Sequence, residues 1–403
     1  MAHAVITAFP FLSLPEDAHS SFFIISSEQK VKPTFNLRKL VAELQNEAGG
    51  SRGSAIDIEV VPEDLEAKKK QLAGKEILIK LVGDDVPILT WKISADIALD
   101  KVKLGDFIEN QIAPKVNRQS QNASIQDFVD EGKAAHAMVE GVAKDGISVA
   151  VEKNMELIRD AVLKDVFEVN LDVESAKSYV FNGTPLDFGE LKLLAAGRSN
   201  FAGSPEGRAF NIQKGLNEKM NNIIVPPGAE FSFNSFLGPI TSSQGWAKAL
   251  GIFGGGSLAP TLGGGLCQVS TTMYRAALLT GLPILERKPH SLYVSYYKQF
   301  GEGLDSTIYS TGPDLVFLND TPSYILIQSY VDGDDAYVKF FGTSDGRKSE
   351  LAGPYRSHDI PEEKGYKPPQ NEIVWFRTVE LSDGSKKEEM ITSRYKTLPK
   401  HPR

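Results

Sequence analysis

The chain contains a single cysteine, Cys267, inside the segment GGGLCQ at residues 263–268. Apolar residues follow it at helical spacing, and Gly281 followed by Pro283 is typical of a helix end. The cysteine is therefore predicted to lie where a glycine turn meets the N-terminus of a helix. Free N–H groups and the helix dipole favour negative charge there, which lowers the pKa of a thiol. This position predicts a thiolate nucleophile.

The same turn supplies backbone amides that could bind an oxyanion. Glycines let the amides around Gly264, Gly265 and Cys267 turn toward one point, as acyl transfer requires. The alternative is that Cys267 is an ordinary small buried residue, as free cysteines often are. Gln268, Ser270 and Thr271 are candidate substrate-binding residues on the following turn. The hydroxyls of this turn could instead be nucleophiles or structural groups.

A thiolate nucleophile needs a proton partner, which is usually a histidine. His290 follows 23 residues later in the segment PHS, and the other five histidines lie outside the glycine-dense region. A helix and a short turn would bring His290 back toward the helix start. Asp305 or Asp314 could orient its imidazole, although either could be a turn residue and His290 could be structural.

Two arginines are candidate carboxylate ligands, because a guanidinium pairs bidentately with a carboxylate. These are Arg198 and Arg287, for which surface ion pairing is the alternative. Ser291 is a further candidate substrate-binding residue beside His290. One cysteine and six histidines exclude a disulfide within the chain and a thiolate-rich zinc site. No P-loop, GxGxxG or HExxH motif occurs, so we expect no metal and no cofactor.

Length and composition narrow the class of protein. The 403 residues are 41% hydrophobic and 24% charged, which predicts a folded chain of two to four domains. A net charge of -8 without a basic block argues against nucleic-acid binding. Apolar runs fall short of the ~18–20 residues that span a bilayer. The first basic residue is Lys30, so the basic region of a signal peptide is missing from the N-terminus.

Periodicity predicts an α+β fold in several parts. A helical stripe followed by an alternating acidic strand occurs at 37–60 and again at 146–173, which indicates a duplicated unit or a chance similarity. The predicted parts are a flexible leader at 1–30, an α+β region at 31–187 divided into 31–75 and 75–180, a Gly-rich mixed domain at 188–342, a linker at 343–370 and a small β tail at 371–403, whose last residues should fray.

Several motifs of the Gly-rich region occur together in one order. They are GRSNF from residue 197, VPPGAEFSFN from 225, GGGLCQVSTTMY from 263, ERKPHS from 286 and DLVFLNDT from 314. In this set residues 188–342 resemble the VanW family of bacterial cell-envelope proteins. Residues 75–180 more loosely resemble the peptidoglycan-binding domain that often precedes a VanW domain.

The resemblance implies a function. Some VanW-domain proteins are reported to act as L,D-transpeptidases, which crosslink peptidoglycan through a catalytic cysteine. That role would fall on Cys267, with His290 and Asp305 as the other candidate catalytic residues. The family's usual Asp-Ala is here Asp305-Ser306, which keeps the acid.

The expected partners are therefore peptidoglycan stem peptides and glycan, and not nucleic acid. The expected location is the cell envelope outside the cytoplasmic membrane, with membrane association only through an anchor absent from this chain. Two alternatives stay open. One is a non-catalytic peptidoglycan-binding or scaffold protein, and the other is a cysteine hydrolase acting on another amide.

Overall fold

The computed structural model describes residues 62–82, 84, 87–253, 257–357 and 359–396. The chain divides into two compact units. The described part of the first consists of 62–78, 90–104 and 156–169, and the second takes in the other described residues. The predicted leader at 1–30 and the first helix–strand copy at 37–60 lie outside the described residues.

The described residues contain α-helices and short turns of π- and 3-10 helix. The α-helices are Pro62–Leu72 (α1), Ala95–Ala98 (α2), Lys101–Phe107 (α3), Ala113–Val116 (α4), Val151–Leu163 (α5), Glu206–Lys214 (α6), Phe233–Leu237 (α7) and Leu266–Thr280 (α8). Turns of π-helix occupy Ile108–Ile112 and Gly215–Lys219, and 3-10 turns occupy Ser242–Gln244, Ser295–Tyr297 and Glu362–Lys364. In the described residues, none of the helices has both the length and the apolarity to cross a bilayer.

The strands form several small sheets. They are Glu76–Leu81 (β1), Leu89–Lys92 (β2), Ala123–Asp127 (β3), Ala135–His136 (β4), Met138–Glu140 (β5), Gly146–Val149 (β6), Glu168–Leu171 (β7), Val173–Ala176 (β8), Val180–Asn182 (β9), Lys192–Asn200 (β10), Ile223–Val225 (β11), Glu230–Ser232 (β12), Lys248–Phe253 (β13), Ser257–Leu262 (β14), Ile284–Glu286 (β15), Val316–Leu318 (β16), Ile325–Asp332 (β17), Asp335–Gly342 (β18), Lys348–Tyr355 (β19), Glu372–Glu380 (β20) and Lys386–Arg394 (β21).

The sheet orders are β2-β1-β7, β10-β18-β17-β11-β4, β12-β16-β15, β13-β14, β19-β20-β21, β5-β3-β9 and β6-β8. This mixture of helices and small sheets confirms the predicted α+β class. The segments YILIQSYV and AYVKFF on either side of the turn DGDD predict a hairpin at 324–341. It is confirmed as β17–β18, an antiparallel pair in which Tyr330 lies opposite Tyr337.

Helix α8 is the centre of the second unit's core, and it packs on β10 and β18. Its side chains Val269, Met273 and Ala276 are fully buried. Burial of a large apolar side chain contributes about 1.5–3 kcal/mol, so this helix contributes much of the unit's stability. Strand β10 approaches closely because Gly197 has no side chain. A Cβ there would lie 2.0 Å from the carbonyl oxygen of Thr272.

The C-terminal region differs from the predicted linker and separate tail. Strand β19 lies inside the predicted linker at 343–370 and pairs with β20, so 348–355 are part of a sheet. This sheet packs on the core: Ser349 Oγ donates to the carbonyl of Leu278 (2.7 Å), and Arg377 Nη2 donates to that of Leu282 (2.8 Å). Strand β19 is exposed along much of one face, which explains why its sequence resembles a linker. The last seven residues, 397–403, lie outside the described part.

The alternating segment at 167–173 forms two strands instead of one. It breaks at Asp172, where β7 ends and β8 begins in another sheet. The side chain of Asn154 on α5 binds both backbone groups of Asp172, at 2.7 Å to its carbonyl and 2.9 Å from its N–H. These bonds replace the sheet bonds that a continuous strand would make at that residue.

Candidate active site

A cavity of about 840 Å³ lies over the N-terminus of α8. Its walls come from the glycine turn before α8, the hairpin β13–β14, the first turn of α6 and the loop from 290 to 310. The lining side chains include Arg208, Lys248, Cys267, His290, Tyr296, Tyr297 and Tyr309, and the described lining contains no carboxylate. Sequence reasoning placed the chemistry at the same turn.

Cys267 lies in the first turn of α8, as predicted. Its side chain is partly exposed and lines the cavity, and its Sγ donates to the carbonyl of Ile308 at 3.7 Å. The neighbouring amides of Leu266 and Gln268 donate to the carbonyls of Gly263 and Gly265. Within the described part of the chain, the N–H of Cys267 donates to no acceptor. That amide is available as an oxyanion donor.

The two glycines of the turn permit this arrangement. Gly265 has φ +108°, and a Cβ there would lie 2.9 Å from Cγ of Arg208. A Cβ on Gly264 would lie 2.6 Å from the carbonyl oxygen of Ala249 in β13. Both glycines line the cavity beside Cys267.

His290 and Asp305 lie together behind Cys267. His290 Nδ1 is 2.5 Å from Asp305 Oδ2, and the backbone N–H of His290 donates to the same oxygen at 2.7 Å. The imidazole also acts on the Cys267 thiol, because each of these two groups shifts the pKa of the other. Since Nδ1 faces the carboxylate, Nε2 is the nitrogen left for the sulfur. The order sulfur, imidazole, carboxylate has the arrangement of a catalytic triad.

Cys267, His290 and Asp305 shift one another's pKa values. Burial opposes ionisation of the Cys267 thiol, but its hydrogen bond to His290 lowers its pKa below the ordinary value. Burial also opposes the imidazolium, yet Asp305 and Cys267 raise the pKa of His290 to about 9. Burial opposes the Asp305 carboxylate, and the bonds from His290 and the charge of Arg287 bring its pKa below the ordinary value. All three shifts are in the direction that favours a thiolate–imidazolium pair.

Two further groups complete the shell of the Asp305 carboxylate, which is fully buried. Tyr395 donates its hydroxyl to Asp305 Oδ1 at 2.5 Å. Arg287 Nη2 lies 3.5 Å from the same oxygen, and its Nε donates to the Asp305 carbonyl at 2.6 Å. With every oxygen bonded, this carboxylate holds the imidazole in one orientation.

Asp314, the other acid considered for this role, is used elsewhere. It accepts from Ser232 Oγ at 2.5 Å and from the backbone N–H of Asn234 at 2.9 Å, so it caps the start of α7. Asp305 is thus the acid that contacts His290.

The loop that carries Asp305 is held by a buried arginine of α8. Arg275 donates to the carbonyls of Tyr297, Gln299, Gly301 and Leu304, at 2.8–3.3 Å. A fifth bond reaches the carbonyl of Arg198 in β10 at 2.8 Å. Burial lowers the pKa of Arg275 to about 10. One cation thereby fixes the segment 297–304 against the same helix that presents Cys267.

Residues 207–341 match the family described as "VanW like protein". This part of the chain is a VanW-like domain. The VanW-like domain matches the predicted 188–342 in all but its first residues. The match does not reach 75–180, where the resemblance to a peptidoglycan-binding domain stays a prediction.

Two curated relatives share this domain. The chain is 34% identical over 143 residues to "Uncharacterized protein YoaR" of Bacillus subtilis (strain 168), which covers 36% of this chain and 46% of that protein. It is 29% identical over 123 residues to "Vancomycin B-type resistance protein VanW" of Enterococcus faecalis (strain ATCC 700802 / V583), covering 29% of this chain and 42% of that protein. The matches thus span less than half the length of these relatives. No solved structure matches the chain. The family and relatives suggest a cell-wall-related protein.

Three of the candidate substrate-binding residues of α8 lie in the core of the VanW-like domain and not on its cavity. Gln268, Ser270 and Thr271 are fully buried. Gln268 Nε2 donates to Ser199 Oγ at 3.0 Å, and Thr271 Oγ1 accepts from the N–H of Ser306 at 3.1 Å. Placed on the inner faces of α8, they correct the expectation that they contact a substrate.

The two arginines predicted as carboxylate ligands also lie outside the cavity lining. Arg198 pairs with Asp84 at 2.8 Å and with Asp335 at 2.6 Å, which matches the ion-pairing alternative. Arg287 contacts the carbonyl and Oδ1 of Asp305, whereas His290 contacts Oδ2, and Arg287 does not line the cavity. Ser291 is half-buried, and its carbonyl accepts from the N–H of Lys396. These residues support the fold and the triad rather than a substrate.

Three residues that contact the candidate site or its loop from other parts of the chain were not predicted from the sequence. Arg208, Arg275 and Tyr395 carry no local motif that distinguishes them from surface residues. Tyr395 lies 90 residues beyond Asp305, in the tail predicted to be separate. Among the described residues, His, Cys, Asp and Glu side chains nowhere form a group of three that could hold a metal ion.

Proposed function

We propose that this cell-wall-related protein is a cysteine acyltransferase of the L,D-transpeptidase type, acting on peptidoglycan stem peptides. The observation that carries the proposal is the Cys267–His290–Asp305 arrangement on an open cavity. A buried thiol without a base would be chemically inert, whereas a thiolate paired with an imidazolium is a nucleophile.

In the first half-reaction the Cys267 sulfur attacks a peptide carbonyl carbon. The carbon–sulfur bond forms, and the carbonyl oxygen takes the negative charge beside the free amide of Cys267. The intermediate collapses by breaking the carbon–nitrogen bond, and His290 gives its Nε2 proton to the departing amine. The products are a thioester on Cys267 and a free terminal D-amino acid.

In the second half-reaction an acceptor amine from a neighbouring strand attacks the thioester. His290 takes a proton from this amine, the carbon–sulfur bond breaks, and the thiolate returns. The result is a new amide crosslink. Asp305 stays ionised throughout and keeps the imidazole aligned.

The proposal places the protein in the cell envelope, outside the cytoplasmic membrane, because its substrate is there. Peptidoglycan stem peptides would occupy the cavity of the VanW-like domain. Residues 31–187 would hold the glycan and set the reach of the site.

The test is incubation of the protein with tetrapeptide muropeptides, followed by mass spectrometry of muropeptides and of Cys267. We expect crosslinked dimer and a Cys267 thioester from the unaltered chain, and neither from Cys267→Ala. Ser270→Ala is the matched control, since Ser270 is a hydroxyl on the same helix that lies away from the cavity, and it should keep activity.

Three outcomes would contradict the proposal. Equal dimer from Cys267→Ala would remove the thiol from the mechanism. No dimer and no thioester, with sacculus binding retained by both proteins, would favour the non-catalytic scaffold. A thioester with hydrolysed product only would favour the hydrolase.

A further inference from the structure

Arg208 is a buried cation in the wall of the cavity. It lies on α6 and is only 8% exposed, yet it lines the same cavity as Cys267 and His290. Its guanidinium carbon lies 4.1 Å from the centroid of the Tyr296 ring, so the ring covers one of its faces. The stacking fixes the plane of the guanidinium.

The polar partners of Arg208 are neutral. Nη1 donates to Ser204 Oγ at 2.7 Å, and Nη2 donates to Gln268 Oε1 at 2.6 Å. A guanidinium has five N–H donors, so three are left without an acceptor in the described part of the chain. No carboxylate of the described residues forms an ion pair with it.

A buried charge without a counter-charge is costly, and proteins usually pair one. The other arginines buried near this site satisfy that rule or bind many carbonyls. Arg287 lies beside Asp305, and Arg275 has five carbonyl acceptors. Arg208 differs from both, because its two partners are neutral side chains and the cavity lining to which it belongs carries Lys248 and, among the described residues, no acid.

We propose that Arg208 is the carboxylate-binding residue of this cavity, and that the cavity takes peptides with a free C-terminal carboxylate. The inference deepens the proposed function by naming the group that the site recognises. The guanidinium of Arg208 would pair with the carboxylate. The last peptide carbonyl would lie toward Cys267, because Gln268, the residue after Cys267, accepts a hydrogen bond from Arg208. The carboxylate and the attacked carbonyl would belong to adjacent residues, because the proposed function releases a single terminal D-amino acid.

The consequence is a preference for the end of a peptide over its interior. The group that leaves would be the single amino acid held by Arg208. An internal peptide bond offers no charge at that position and would leave the guanidinium unpaired.

The test compares two probes that differ only in charge. They are N-acetyl-L-lysyl-D-alanine with a free carboxylate and the same peptide with a C-terminal carboxamide, each titrated by calorimetry or NMR into Cys267→Ala protein, which cannot turn them over. We expect the acid to bind at least about tenfold more tightly, because a charge-assisted pair in a buried site is lost in the amide.

Four added substitutions, one of them a control, show which side chain causes the preference. Arg208→Met should remove the preference for the acid, and Arg208→Lys should reduce it because an ammonium lacks the planar fork. Lys248→Met should keep most of it, since Lys248 is exposed. Arg118→Met is the matched control, because Arg118 pairs with Asp332 and does not line the cavity.

Equal affinity for acid and amide would overturn the inference, as would a preference that persists in Arg208→Met or an absence of binding by both peptides. If Arg208→Met fails to fold by circular dichroism, the acid–amide comparison in the protein that retains Arg208 still decides. The proposed function fails separately, when the acid is preferred but the chain with Cys267 forms no thioester.

Discussion

At the scale of the residue, the sulfur of Cys267 depends on a partner that is itself buried. His290 is 4% exposed and Asp305 is fully buried, so solvent reaches the pair from the side of Cys267. Because the carboxylate is buried, solvent screens its charge only weakly, and its electrostatic effect on the imidazole is strong. The reactivity of the thiol is therefore a property of the three side chains together.

Alkylation measures this coupling directly. We expect Cys267 to react with iodoacetamide at pH 6.5 faster than an unperturbed thiol does, because His290 lowers the thiol pKa. His290→Gln should slow the reaction at that pH by at least about tenfold, since an unperturbed thiol with pKa ~8.5 is about 1% ionised there. With only one cysteine in the chain, the label reports this site alone. A profile that rises only above pH 8 in the unaltered protein would contradict the ion pair.

The upper pH limit of turnover comes from His290. Its pKa of about 9 means that the imidazolium is present below that pH and is lost as the pH rises through it. We expect kcat/KM for thioester formation to fall tenfold per pH unit above about pH 9, because the leaving amine then lacks its acid. The control is an activated substrate that forms the thioester but whose leaving group needs no proton. With this substrate the fall in kcat/KM above about pH 9 should disappear. If kcat/KM still falls with this substrate, a group other than His290 causes the fall.

At the scale of the element, the turn before α8 owes its shape to glycine. Gly265 combines a positive φ with a close approach to Arg208, so a side chain there meets both backbone strain and a contact. A turn of this kind sets where the first helical amides lie, and the oxyanion position moves with it.

Gly265→Ala should cost about 2–4 kcal/mol of unfolding free energy and should lower Cys267 reactivity. Gly228→Ala is the matched control. Gly228 has φ +75°, and a Cβ added there would have no atom within 4 Å, so only the backbone cost of about 1 kcal/mol applies. Denaturant unfolding of both variants measures the difference. Equal losses would show that the contact with Arg208 is easily relieved.

Tyr395, the residue after strand β21, contacts the candidate active site through Asp305, although it lies beyond the family match. Tyr395→Phe removes the hydroxyl that donates to Asp305 Oδ1, at a cost of about 1.5–3 kcal/mol. We expect kcat/KM to fall about tenfold and the pH profile of Cys267 alkylation to shift. Tyr366→Phe also loses a hydroxyl bond to a carboxylate, that of Glu372, but away from the cavity. It should leave the pH profile unchanged, and a shift in both variants would mean that Tyr395 acts only on stability.

At the scale of the whole molecule, the family match ends at residue 341 while the packed unit continues to about 396. Ile373, Trp375, Ile391 and Tyr395 are buried in the same core cluster as α8. A fragment of residues 188–342 would expose the surfaces that these side chains cover.

We therefore expect a fragment of residues 188–342 to unfold at a lower temperature than one of residues 188–396. It should also label more slowly at Cys267 at pH 6.5, because Asp305 loses Tyr395. Thermal melts and the labelling rate measure both effects. Identical behaviour of the two fragments would mean that the C-terminal sheet is dispensable for the site.

Local patterns were enough to place the helix of Cys267, its glycine start and the hairpin at 324–341. They identified His290 and offered two acids, and only the three-dimensional contacts separate Asp305 from Asp314. Arg208 and Tyr395 could not be found, because a long-range contact leaves no periodic signal in one sequence. Strand β19 was missed for a related reason: a strand with one covered face among glycine, proline and charged residues has the composition of a linker.

The five carbonyl bonds of Arg275 have a thermodynamic consequence. The segment 297–304, which leads into Asp305, loses its conformational freedom when the chain folds. A ligand that enters later does not have to order it, so affinity is not reduced by a loop-closing entropy, and Asp305 and His290 are aligned before a ligand binds. Crystals grown with and without a bound peptide should superimpose over this segment.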